Sequence, residues 1–79
     1  MASTDKLILK LKNRSLKKAE LETLFERLGF KKLRGKGSHE VWGKKEVQDL
    51  HFVIATHSKE IPSYQLKQIE NSLTKRGLL

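Results

Sequence analysis

The sequence predicts an α+β fold, ordered helix, three antiparallel strands, helix, with both helices on one face of the sheet. Three observations lead there. Apolar stripes at helical spacing lie in the first and last thirds of the chain, and strand-like segments separated by glycine-containing turns lie between them. The whole has 79 residues, enough for one small core.

Residues 1–14 are a leader and residues 15–79 a single domain. In the leader, Leu7, Leu9 and Leu11 alternate with Lys6, Ile8, Lys10 and Lys12. This is the period-two pattern of a half-buried strand, so the leader is expected to add an extra strand. Ser15 is expected to cap the first helix, whose residues Leu21, Leu24, Phe25 and Leu28 recur at i, i+3, i+4 and i+7. Lys18 and Glu22 fall on its solvent side as a supporting pair. Gly29 ends this helix by taking a left-handed conformation, and Phe30 folds back onto its last turn.

The segments Lys31 to Arg34, Ser38 to Trp42 and Leu50 to Ile54 read as a three-stranded meander, with Leu50, Phe52 and Ile54 alternating onto the buried face. The second strand buries either Glu40 and Trp42 or His39 and Val41, because a one-residue slip exchanges them, and the Trp42-inward register is preferred. Ile61-Pro62-Ser63 marks the start of the last helix, with Ser63 as cap, Leu66, Ile69 and Leu73 along one face, and Gly77 as the stop. Both helical stripes then share the sheet's single apolar face, leaving its other face in water.

Charge narrows the function. The chain carries 17 basic and 9 acidic side chains, a formal +8, and residues 31–45 alone contribute +5. A basic field this focused draws polyanions and marks a binding face. The chain has no cysteine, which excludes a disulfide framework or thiolate zinc site and suits the cytoplasm. No apolar run is long enough for a membrane span.

Of the three histidines, His51 and His57 lie six positions apart, and the one carboxylate beside His39, Glu40, falls on the opposite strand face, so no metal site and no cofactor are expected. The glycines at 35, 37 and 43 lie between strands and not before a helix, which excludes a phosphate-binding glycine fingerprint. His39 follows the Gly37-Ser38 turn, where a backbone can approach a ligand closely, and Arg34 and Lys36 nearby can hold phosphate. An imidazole there can move a proton to or from an RNA oxygen, though spacing alone describes an ordinary turn histidine equally well. Ser38 lacks the base and acid that would activate a nucleophile, so its hydroxyl is expected to bind phosphate or backbone.

These residues resemble the HicA (YcfA-like) toxins of bacterial toxin-antitoxin pairs. The resemblance runs from about Leu16 to Leu79: Leu28-Gly29-Phe30 at a helix end, Arg34-Gly35-Lys36-Gly37-Ser38-His39, then His57-Ser58-Lys59-Glu60-Ile61 and a helix ending near Gly77. It implies the fold of double-stranded-RNA-binding domains. It also implies an endoribonuclease that cleaves messenger RNA, with His39 catalytic and His57 a candidate contributor; combined with the residues above, the expectation is a metal-independent reaction in which Arg34, Lys36, Gly37, Ser38 and Lys59 bind RNA. The implied partner is a HicB antitoxin that covers the active site. A non-catalytic RNA-binding module of the same fold is the alternative. Two features depart from the family: residues Lys6 to Arg14 precede the first helix, available for an edge strand or a contact between copies, and Ala55-Thr56 stands where the family often has proline.

Overall fold

The computed structural model describes residues 3–36, 39–44, 47–55 and 60–79, with Lys36 and residues 47–49 described in backbone only. Its elements are helix α1 (Thr4–Lys12), helix α2 (Lys18–Arg27), strands β1 (Lys31–Lys36), β2 (His39–Lys44) and β3 (Val47–Ala55), and helix α3 (Ser63–Lys75). The helix, three strands and helix expected of residues 15–79 are present. The strand expected of the leader is instead α1.

Helical spacing explains the difference. Leu7 and Leu11 are one turn apart and are fully buried, while Leu9 lies on the opposite side and is 58% exposed. Leucine and lysine favour helix, only Ile8 is β-branched from Lys6 to Lys12, and the Ser3 side chain caps the first turn by accepting the Lys6 N–H at 3.2 Å. A helix also satisfies its own backbone, whereas a strand would have needed a ladder partner. The segment therefore offers no strand edge for a contact between copies.

Closure of α1 displaces the start of α2. Arg14 takes a left-handed φ of 60°, its N–H reaches the Leu11 carbonyl at 3.1 Å, and the Ser15 N–H reaches Lys10 at 2.9 Å. This is the Schellman arrangement that usually uses glycine. Ser15 is thus occupied in closing α1 and is not the cap of α2. That position falls to Lys17, whose backbone N–H donates to the Glu20 carboxylate at 3.1 Å. Glu20 also binds Lys10. The Lys10 ammonium, and then the Lys17 N–H, hold the Glu20 carboxyl below its ordinary range.

Gly29, at φ 93°, ends α2 as expected, with its N–H on Glu26 (3.1 Å) and the Phe30 N–H on Phe25 (2.8 Å). Gly77, at φ 73°, ends α3 in the same way, and Leu78 returns to Leu73 at 2.8 Å. At the start of α3, Pro62 occupies the cap position and Ser63 is the first helical residue, so the helix begins one place earlier than expected.

The sheet is an antiparallel meander in the order β1-β2-β3. Trp42 faces inward, together with Glu40, Leu50, Phe52 and Ile54, which settles the register of β2. A bulge at Leu33 interrupts the pairing of β1 with β2: Lys31 and Lys32 oppose Gly43 and Trp42, whereas Arg34, Gly35 and Lys36 oppose Val41, Glu40 and His39. Without the extra residue, Arg34 would fall on the inner face with Glu40. With it, Arg34 shares the outer face with Val41 and His39.

Helices α2 and α3 supply Leu21, Leu24, Phe25, Leu66, Ile69 and Leu73 to a core shared with the inner face of the sheet. Helix α1 packs against both α2 and α3 and adds Leu7 and Leu11. Polar links join the same elements. The Arg14 guanidinium donates to the carbonyls of Leu11 (3.0 Å) and Lys12 (2.9 Å) and pairs with Glu70 of α3 at 2.6 Å.

The left-handed backbone at Arg14 gives a direct test. Arg14→Ala and Arg14→Gly both lose the guanidinium contacts, but only glycine relieves the φ. Urea denaturation is expected to find both less stable than wild type, with Arg14→Gly the more stable variant by about 1 kcal/mol.

Candidate functional site

The open face of the sheet is built by alternation and by the bulge. His39 and Val41 on β2 point away from the core because Glu40 and Trp42 point into it. Arg34 lies beside Val41 and diagonal to His39, a spacing of about 7–8 Å that a long side chain spans. The backbone of Lys36 is directly opposite His39 on one side, and that of Ala55 on the other. Val53, beside Val41, is exposed, so this face carries apolar patches as well as charge. Of the other residues expected at the site, Gly37, Ser38, His57 and Lys59 lie outside the described residues.

His39 also lines an open groove of about 670 Å³ that runs from the end of β3 to the first turn of α3. Its walls include Ala55, Glu60, Pro62, Tyr64 and Gln65. Two contacts set its shape. The Gln65 amide donates to the Val53 carbonyl at 2.7 Å, fixing the start of α3 to β3. Glu60 pairs with Lys17 in an isolated antiparallel bridge, which ties the segment before α3 to the start of α2. Sequence reasoning placed no residue of the Glu60–Gln65 segment at the site. The available signal was Tyr64, an aromatic residue off the Leu66, Ile69 and Leu73 stripe at a helix start.

Directly behind His39, the inner face carries a buried charge. Glu40 is 8% exposed and accepts from Lys18 Nζ at 3.1 Å and from Trp42 Nε1 at 3.3 Å. Lys18 also binds Glu22 at 2.6 Å, so the expected solvent-side pair is instead part of a half-buried link from α2 to β2. Burial pushes the Glu40 carboxyl upward, but the Lys18 ammonium, the Trp42 indole N–H and the Lys32 charge together hold it below its ordinary value. The Lys18 ammonium is raised, first by its hydrogen bond to Glu22 and, against the cost of burial, by Glu40. No described buried side-chain nitrogen or oxygen lacks a hydrogen-bond partner.

Because the carboxyl of Glu40 is lowered in the folded state, its contribution is complete above the ordinary carboxylate value of 4.5 and is lost as pH falls through the folded value. Glu40→Gln is therefore expected to flatten the loss of stability below that pH. Glu40→Ala, which leaves Lys18 and the Trp42 N–H with one partner fewer, is expected to cost about 1–3 kcal/mol at neutral pH. Urea titrations across the acid range measure both.

Among the described residues no group of three or more histidine, aspartate or glutamate side chains is placed to hold a metal ion, and no helix is long and apolar enough to cross a membrane. Comparison with curated proteins and with solved structures gives no significant match. Comparison with protein families does: the family described as HicA toxin of bacterial toxin-antitoxin matches residues 19–78, from the first turn of α2 to the residue after Gly77. The match leaves α1 outside and takes in both walls of the groove, all three strands and the face that carries His39. The chain belongs to the family of HicA toxins of bacterial toxin-antitoxin systems.

Proposed function

We propose that this toxin is an endoribonuclease that cleaves messenger RNA without a metal ion, with His39 as its catalytic residue. The observation that carries the reading is the Leu33 bulge, which brings Arg34 onto the open face diagonal to His39. A cation beside an imidazole, on the most basic segment of the chain, suits a phosphate of the RNA backbone. In this reading Lys36 and Lys59 add charge for the backbone, Gly37 and Ser38 supply backbone and hydroxyl donors, and His57 contributes a second imidazole.

In the proposed reaction the RNA 2′-hydroxyl attacks the adjacent phosphorus as the bond to the 5′ oxygen of the next nucleotide breaks. The products are a 2′,3′-cyclic phosphate and a free 5′-hydroxyl. One proton leaves the attacking oxygen and one reaches the departing oxygen, so the reaction is balanced without a cofactor. His39 performs one of these transfers, and Arg34 stabilises charge on the phosphate oxygens. DNA, which lacks the attacking hydroxyl, is not cut.

The family pairs each toxin with an antitoxin. We propose that the partner here is of HicB type and inhibits by covering the face of His39, Arg34, Val41 and Val53. Its contact surface would then be acidic around an apolar centre. Release of the toxin would halt translation as a stress response in the cytoplasm.

In the presence of a chelator, His39→Ala is expected to cut RNA at least about 100-fold more slowly while binding it as wild type does. Undiminished cleavage by this variant rejects the assignment. Intact RNA with wild-type protein, combined with salt-sensitive binding, would instead favour the non-catalytic RNA-binding module.

A further inference from the structure

We infer that Tyr64 is a stacking platform for one unpaired RNA base, held in the groove beside His39. The inference rests on the reading of this chain as an RNA-cleaving toxin and assigns the subsite next to the scissile phosphate. Tyr64 is 67% exposed, the most exposed of the large apolar and aromatic side chains in the described structure. It stands in the first turn of α3 and lines the same groove as His39.

The distribution of charge separates base from backbone. Among the described residues the groove wall carries no lysine or arginine and one carboxylate, Glu60. The cations lie on the adjoining sheet face, where Arg34 sits diagonal to His39. The groove offers an aromatic ring, the amides of Gln65 and Gln68 and small apolar surfaces at Ala55 and Pro62. A nucleobase needs such a lining: a π-face for stacking and neutral donors and acceptors for its edge. The volume, about 670 Å³, lies within the range of about 300–1,000 Å³ usual for small-molecule sites.

Placement on α3 adds the edge contact. Tyr64 and Gln68 are at i and i+4, on one side of the helix. Gln65 is committed to the Val53 carbonyl and so locks the first turn of α3 against β3, holding the ring in place. The Gln68 side-chain amide makes no hydrogen bond among the described residues and is available to a base edge. A base stacked on Tyr64 thus has a donor and an acceptor beside it, and its own phosphate lies towards His39.

The test uses an unstructured single-stranded RNA oligonucleotide with 2′-O-methyl sugars. Such a probe cannot be cleaved through the 2′-oxygen, so binding is read independently of catalysis. Tyr64→Ala is expected to weaken binding at least about fivefold, Tyr64→Phe to bind as wild type, and both to bind a blunt duplex of the same sequence unchanged. Replacing the nucleotides one at a time by abasic sites should find one position where wild type loses affinity and Tyr64→Ala does not. Equal single-strand affinity of Tyr64→Ala and wild type would overturn the inference, as would equal weakening towards single strand and duplex. Either result leaves the role of His39 intact. Conversely, undiminished RNA cleavage by His39→Ala would reject the catalytic assignment without touching the stacking result.

Discussion

The ring of Phe25 on α2 packs against three others: Phe30 at a centroid distance of 5.3 Å, Trp42 of β2 at 5.5 Å and Phe52 of β3 at 5.2 Å. Aromatic side chains bury more area than any others, and in a chain of this length four of them together hold a large share of the core. Their packing fixes which way β2 and β3 face. With Trp42 and Phe52 committed inward, alternation sends His39, Val41, Val53 and Ala55 to the opposite side. The orientation of the candidate catalytic residue is therefore a consequence of a contact on the other face of the sheet. The glycine closure at the end of α2 serves the same cluster, since it turns Phe30 back against Phe25.

Beside this apolar cluster the inner face accepts a charge, and the location is informative. Glu40 lies immediately next to His39 in sequence and is tied through Lys18 to α2. A buried ion pair brings little net stability against an apolar replacement, but losing one partner is costly, so it enforces one arrangement over others. Here it penalises a register slip of β2, which would expose Glu40 and bury His39. The bulge at Leu33 acts on the other side of the same strand and decides which cations of β1 share the open face. Register, bulge and ion pair together place a histidine and an arginine diagonally on the outer face of the sheet.

The additional helix α1 ties the two helices that cover the sheet. Leu7 and Leu11 fill the space between α2 and α3, and Lys10 and Arg14 reach Glu20 and Glu70 on either side. Because α3 carries Tyr64 and Gln65 into the groove, this packing helps to hold one wall of the site. In a small domain, the added burial strengthens a core that is otherwise limited by surface-to-volume ratio.

Much of this was legible in the sequence. The apolar stripes of α2 and α3, both glycine closures, the alternation of β3 and the charge focus on residues 31–45 each depend on neighbours within a few positions, so local pattern was sufficient. The resemblance to the HicA toxins, and with it the family, was also readable from residues in order. What misled or was silent depended on distant partners. Leu7, Leu9 and Leu11 fit a strand by alternation and a helix by the i, i+4 pair, and only the surface offered by α2 and α3 selects the helix. Ser15 was drawn away from α2 by the closure of α1, and Lys18 was drawn from solvent by Glu40, 22 positions along the chain. The bulge that turns Arg34 towards His39 exists only in the pairing of two strands. Tyr64 and Glu60 join the groove because α3 folds back onto the edge of β3. Sequence determined which elements form and where charge collects; tertiary structure decided which side chains share a face, because that is set by packing between segments far apart in the chain.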